Sequence, residues 1–265
     1  MNYGAVSFNP MKIIVFISSF WGLLNISCQK AFHPEEAKVI MIFGQSNATS
    51  NDINLSLSFN GSPANVWAYD SNTAGFTKYD SSKLINNGLG TQAGINLVNT
   101  KKLNKIFTLR VAKGALAISN WDYPNGMMWI KTSNDINNAF KWLSAQGYPV
   151  VTLSAIWMQG ENDIAVNTSQ VVYQEKLNSF ITKLRELKAG LANTQFVMMK
   201  ISSKQAFSRN SIAIVNTSMD NIAASKSNCI SVNPDVIGAT LSSDGVHYSN
   251  SGFITIANYW SRLIP

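Results

Sequence analysis

Three short polar islands carry the residue types that acyl transfer needs. Gly44-Gln45-Ser46-Asn47 offers a serine hydroxyl, and Asp244-Gly245-Val246-His247 offers an imidazole with a carboxylate three residues before it. A serine hydroxyl is a weak nucleophile until a neighbouring base takes its proton, and the imidazole that does so works best when a carboxylate fixes its tautomer. The chain has two histidines, His33 and His247. His33 sits in a short polar stretch near the start and reads as a solvated residue, which leaves His247 as the base. Taken singly, a Gly-x-Ser after a strand reads equally well as a helix N-cap and an Asp-Gly as a turn. Their weight comes from standing together with a third island, Trp157-Met158-Gln159-Gly160-Glu161-Asn162-Asp163, which adds two side-chain amides and two more carboxylates.

The ordered set Gly44-Gln45-Ser46-Asn47, Trp157-x-Gln159-Gly160-Glu161-x-Asp163 and Asp244-Gly245-x-His247 resembles the blocks of the SGNH (GDSL-like) hydrolase superfamily. Within it, the chain is similar to the branch of sialate O-acetylesterases and family 6 carbohydrate acetyl esterases, from about Lys38 to the C-terminus. The resemblance implies an α/β fold, a flavodoxin-like three-layer α/β/α sandwich around a five-stranded parallel sheet. Ser46 would be the nucleophile, His247 the general base and then acid, and Asp244 its orienting carboxylate. The substrate would be an acetylated carbohydrate, deacetylated through an acetyl-serine intermediate, with no metal or organic cofactor. Oxyanion donors would be the backbone amides of Ser46 and Gly114 and a side-chain amide from Gln159 or Asn162, with Gln159 preferred because this branch keeps the glutamine. Glu161 is a candidate helper acid, since a similar glutamate contributes to the acid function in parts of the branch; the other reading of Glu161 and Asp163 is burial that holds the loop. Gly114-Ala115-Leu116 departs from the family's Gly-Gly-Thr, which alters the pocket wall. Trp121 and Trp157 are the expected substrate-binding aromatics, stacking on a sugar or shaping the acetyl pocket, with core packing the competing reading.

These islands need elements to carry them. Apolar runs at Lys38 to Phe43, Asn65 to Tyr69, Lys105 to Val111, Val150 to Trp157 and Gln195 to Ile201 predict strands, separated mostly by helical patterns, as in a parallel sheet covered on both faces. Predicted helices cover Thr91 to Leu103, Ser133 to Gln146 with Ser133 as N-cap, Ser169 to Ala189 ended by Gly190, Ser211 to Lys226, and a last one after Ser249. This order puts Ser46 after the first strand and the third island after the fourth, at the carboxyl edge where open α/β sheets form ligand crevices.

Composition bounds the alternatives. Charged residues make up 13% of the chain, against about 25% in a typical soluble domain, so the surface is polar more than charged. The net charge of +7 is spread out, with no basic run longer than Lys101-Lys102, and nucleic acid is not an expected partner. Lys12 followed by the apolar stretch Ile13 to Ile26 and Ser27-Cys28 reads as a signal peptide over residues 1–28, with Met11 a candidate true start. Its end resembles a bacterial lipoprotein processing site. The chain is therefore expected to be exported, as a lipoprotein on the periplasmic face or cell surface, and otherwise as a periplasmic or secreted protein. A lipid on Cys28 would be its only membrane contact. Residues 29–37 read as a tether and 38–265 as the hydrolase domain. Two rivals share these features: a lipid esterase or thioesterase of the same superfamily, and a non-catalytic glycan-binding lipoprotein.

Overall fold

Val39, Met41 and Phe43 face one hydrophobic layer, and Ile40 and Ile42 face the other, so the first apolar run is buried on both sides. A strand with no polar face belongs at the centre of a sheet covered by helices. The computed structural model, which describes residues 35–49, 59, 61–80 and 88–265, places it there. Strand β1 (Ala37–Gly44) lies between β4 (Ile106–Ala112) and β5 (Val150–Met158) in a seven-stranded sheet. The other strands are β2 (Val66–Asp70), β3 (Gly75–Lys78), β6 (Gln195–Met199) and β7 (Cys229–Val232), and the order is β3-β2-β4-β1-β5-β6-β7.

All five expected strands form, but the sheet has seven strands where five were expected. The two extra ones, β3 and β7, are four residues each and stand at the sheet's edges. Neither carries an apolar run, so the pairing partner defines each strand. Strand β3 pairs antiparallel with β2 across a tight turn, and β7 pairs parallel with β6.

Helices α3 (Met127–Ala145), α5 (Gln170–Leu187) and α6 (Arg209–Ser225) bury Ile136, Tyr173, Leu177, Phe180 and Ile212 on one face of the sheet. On the other face, α2 (Leu89–Lys101) and α7 (Asn250–Leu263) bury Ala93, Leu97, Phe253, Ile256 and Trp260. These are the three layers that the sequence predicts. Ser169, Ser208 and Ser249 cap α5, α6 and α7, each hydroxyl accepting from a backbone N–H three residues on. Helix α3 starts six residues before the expected Ser133 cap. The polar residues that hide its first turns are satisfied within the helix: the Thr132 hydroxyl donates to the Met128 carbonyl at 2.7 Å, while Met128 and Trp129 are buried.

The described residues fall in one compact unit, Pro34–Pro265. Ala37, the last residue of the expected tether, is fully buried and pairs with Val150, so β1 begins one residue before the expected domain start at Lys38. The expected signal peptide, Cys28 and most of the tether lie outside the described residues. Short connectors α1 (Ser46–Thr49) and α4 (Glu161–Ala165) follow β1 and β5 directly at the sheet's carboxyl edge.

Candidate active site

The first polar island is built on a glycine. Gly44 ends β1 with φ +139°, a conformation that side chains rarely adopt, and a Cβ there would overlap the Met158 carbonyl oxygen of β5. That close approach lets the Gln45 amide donate to the Met158 carbonyl at 2.9 Å and turns the chain sharply, so that Ser46 opens α1 at the mouth of the sheet. Gly160 ends the β5 segment with the same φ of +139°. The Gln45 side chain ties the two turns together, its Oε1 accepting from the backbone amides of Gly160 at 3.4 Å and Asn162 at 3.2 Å. Gly44→Ala is expected to destabilise the fold by more than about 4 kcal/mol, since both the backbone conformation and the β1–β5 spacing must change. Urea unfolding would measure this, and a loss under about 1 kcal/mol would show that the strands separate easily.

His247 arrives on a tight loop after β7. Ser242 N–H donates to the His247 carbonyl at 2.7 Å, Leu241 and Tyr248 form an antiparallel bridge, and Gly245 takes φ +70° at the bend. Asp244 organises the loop from inside: its Oδ1 accepts from the amides of Val246 at 2.8 Å and His247 at 2.9 Å and from the Ser242 hydroxyl at 2.8 Å. Its other oxygen, Oδ2, lies 2.7 Å from His247 Nδ1, and His247 Nε2 lies 2.9 Å from Ser46 Oγ. Partial desolvation raises the Asp244 pKa, but the Val246 amide, the imidazole, the His247 amide and the Ser242 hydroxyl outweigh it and hold the carboxyl well below the usual carboxylate range. Asp244 is therefore an ionised acceptor for the imidazole.

A cavity of about 350 Å³ opens over this line, lined by Gln45, Ser46, Gly114, Ala115, Glu161, Asn162, Ala165, Phe207, Val246 and His247. A larger cavity of about 470 Å³ between α2 and α7, lined by Asn96, Thr100, Lys101, Asn258, Ser261 and Arg262, holds no paired nucleophile and base. Gly114 lies beside Ser46, where a Cβ on it would make an ordinary 3.7 Å contact with the serine Cβ. The backbone N–H groups of Ser46 and Gly114 have no acceptor among the described residues. Next to Gly114, Ala115 adopts φ +56°, the left-handed region in which the glycine of the family's Gly-Gly-Thr pattern would be unstrained.

The third island divides in two. Asn162 lines the cavity, and none of the described hydrogen bonds uses its side-chain amide. Gln159, the preferred donor, is fully buried, and its amide nitrogen already serves the Leu116 carbonyl at 3.1 Å and the Asp163 carboxylate. Asp163 is equally buried and binds the Ile118 amide at 2.9 Å and the Thr168 hydroxyl at 2.8 Å. Burial raises its pKa against the lowering effect of those donors. Gln159 and Asp163 thus brace the 116–118 loop and face away from the cavity.

The aromatic expectation is corrected. Trp121 and Trp157 are buried in the core, 5.0 Å apart in an edge-to-face pair, and both also pack on Phe180. Large rings beside the central strand bury more apolar area there than at an open rim. The aromatic ring at the cavity is Phe207, on the loop after β6. That loop is joined to the base loop by Ala206 N–H donating to the Gly245 carbonyl at 3.1 Å and by Gln205 Nε2 donating to the Val246 carbonyl at 2.5 Å. No motif marks Gln205 or Phe207. Their position just after a predicted strand, at the same edge as Ser46, was the available signal.

Asn47, quoted within the first island without a role, connects the parts. It is fully buried, and its Nδ2 donates to Glu161 Oε1 at 2.6 Å and to the Val246 carbonyl at 3.3 Å, while its Oδ1 accepts from the Tyr248 amide at 3.1 Å. The residue beside Ser46 thereby grips the chain on both sides of His247. At the end of α1, Arg110 donates to the Thr49 carbonyl, and desolvation pulls its pKa down to about 10.

A three-layer sandwich with a serine, an imidazole and a carboxylate lined up at the carboxyl edge of its sheet has the architecture of an ester hydrolase. Residues 36–263 match the family described as carbohydrate esterase, sialic acid-specific acetylesterase, and the chain belongs to that family. Among solved structures it is similar to a protein of Arabidopsis thaliana, with a TM-score of 0.66 and 15% identity over 86% of this chain and 97% of that one. NanS aligns with a TM-score of 0.59 and 13% identity, covering 87% of this chain and 97% of its own. A catalytic mutant of Axe2, an acetylxylan esterase from Geobacillus stearothermophilus, aligns with a TM-score of 0.52 and 12% identity over 87% and 94% of the two chains. At such identities the likeness is one of fold. No curated protein sequence matches the chain.

Proposed function

We propose that the protein is an exported carbohydrate O-acetylesterase that frees sugar hydroxyls through an acetyl-Ser46 intermediate. The observation that carries this reading is the continuous line from Asp244 through His247 to Ser46, with spacings of 2.7 and 2.9 Å, at the floor of a cavity. His247 Nε2 takes the Ser46 proton as Oγ bonds to the acetyl carbonyl carbon, and the carbonyl π electrons move onto oxygen. The backbone amides of Ser46 and Gly114 and the side-chain amide of Asn162 serve as oxyanion donors; each such donor is worth about 3 kcal/mol of barrier. As the tetrahedral centre collapses, the imidazolium returns its proton to the departing sugar oxygen. Water then attacks the acetyl-serine with the same base, releasing acetate and restoring Ser46.

Family membership supports an acetylated carbohydrate as substrate. The apolar residues of the cavity, Ala115, Ala165, Phe207 and Val246, are the feature a longer acyl chain would use, and they define the test against a lipid esterase or thioesterase. For p-nitrophenyl esters, kcat/KM is expected to be at least about tenfold higher for acetyl than for octanoyl, because the longer chain exceeds a short apolar wall. Preference for octanoyl would favour the lipid reading. Sugar binding without acetate release from any acetylated glycan would favour the non-catalytic one. Export rests on the Lys12 to Cys28 segment, and lipid labelling of the full chain in a bacterial host, lost in Cys28→Ala, tests it.

A further inference from the structure

Glu161 stands where an ionised carboxylate has no counter-charge. Its side chain is 5% exposed, and none of the salt bridges among the described residues includes it. Oε1 accepts from Asn47, but Oε2 is sealed from solvent and meets no donor at hydrogen-bonding geometry among the described residues. Two amide oxygens of the same region, Gln159 Oε1 and Gln205 Oε1, are also buried without a donor among the described residues.

Turning the amides over does not help. Gln205 Nε2 faces the Val246 carbonyl, and Gln159 Nε2 faces Leu116 O and Asp163, so a flip would set oxygen against oxygen. Nor does solvent help at this point, because the small space bounded by Asn47, Gln159, Glu161 and Tyr248 does not admit a water-sized sphere. One proton on the carboxyl group supplies a donor where Glu161 Oε2, Gln159 Oε1 and Gln205 Oε1 have none.

The surrounding charges agree. Burial raises the Glu161 pKa against the lowering effects of Asn47, its own backbone amide, Gln205 and His247. Asp163 on the same helix, Asp244 on the base loop, Tyr173 from α5 and Tyr248 supply no cation. Lys200, which also borders that small space, is held by Asp220 at 2.7 Å. His247 favours the ionised form only while it carries a proton.

We propose that Glu161 works as an un-ionised carboxylic acid, a positioning residue whose O–H completes the Asn47–Glu161–Gln205 cluster and so holds Val246 and Tyr248, on either side of His247, in register with Ser46. This rests on the Ser46–His247 reading, and it assigns Glu161 a role different from that of Asp244. Asp244 is the ionised acceptor for the imidazole; Glu161 is a neutral brace for the chain that carries it.

The test compares wild type, Glu161→Gln and Glu161→Ala by acetyl ester turnover and by infrared difference spectroscopy. Glutamine keeps a neutral donor at the same place, so kcat should fall by less than about tenfold, whereas alanine should lower it more than about 100-fold with KM changed less than about threefold. The wild-type minus Glu161→Gln infrared difference at pH 7 should contain the carbonyl stretch of an un-ionised carboxylic acid. Linkage gives a further readout. The native state holds a proton that the unfolded chain loses above about pH 4.3, so the Glu161 contribution to stability is full below that pH and disappears as pH rises through the raised native value. Glu161→Gln should therefore lose less stability than wild type over that window. Absence of the acid band at pH 7, or a Glu161→Gln enzyme as slow as Glu161→Ala, would overturn the proposal. If wild type releases no acetate, the Ser46 reading fails, and the infrared band and the stability slope still decide the state of Glu161. If the alanine variant does not fold, the glutamine variant and the spectrum decide.

Discussion

Replacing Ser46 with alanine, or His247 with alanine, lowers kcat for acetyl ester hydrolysis by about 10⁵-fold in either case, and replacing both lowers it no further. The reason is the 2.9 Å contact between His247 Nε2 and Ser46 Oγ. Without the imidazole the hydroxyl keeps its proton, and without the hydroxyl the imidazole has nothing to activate, so the two act as one unit. Residual activity over water would come from the amides of Ser46 and Gly114 and from Asn162, which still polarise the carbonyl. Multiplying losses in the double variant would mean that the two residues act independently, which this geometry does not allow.

Asp244→Asn is the second large effect, with kcat lowered by about 10⁴-fold. The carboxylate fills two roles with two oxygens: Oδ1 gathers the Val246 and His247 amides and the Ser242 hydroxyl, and Oδ2 faces His247 Nδ1. Asparagine has one oxygen. If it keeps the loop donors, its NH₂ faces Nδ1 and favours the tautomer with the proton on Nε2, where it cannot accept from serine. If it turns to the imidazole, its NH₂ opposes the loop donors and the base moves. Water reaches the half-exposed Asp244 and relieves part of this loss, which places the effect below that for Ser46. A thermal melt should show only a modest drop, and a kcat within about tenfold of wild type would remove Asp244 from the mechanism in favour of another acid.

What was legible in the sequence follows the range of each signal. The five long apolar runs gave their strands, and Ser169 and Ser249 gave two helix starts, because periodicity and capping act within a few residues. β3 and β7 were not legible, since four residues form a strand only when a neighbour offers its edge. Ser46, Asp244 and His247 were legible because the chain has two histidines and each of the three stands in a short polar motif next to an expected element. The allocation of amides was not. Gln159 and Asn162 are three residues apart and equally polar, and only the β5 turn decides that one faces inward to Asp163 and the other faces the cavity. Trp121 and Trp157 show the same limit from the apolar side, because a tryptophan near a motif gives no sign of which way the sheet turns it. Asn47 was visible but mute: its meaning lies in Val246 and Tyr248, 199 and 201 residues away.

The central claim is that Ser46 carries the acetyl group between substrate and water. Mixing the protein with p-nitrophenyl acetate, quenching in acid within the first turnovers and mapping the acetylated peptide by mass spectrometry tests it directly. The expected result is one acetyl group on the peptide containing Ser46, absent in Ser46→Ala. An acetyl group on another residue, or undiminished turnover in Ser46→Ala, would contradict the account.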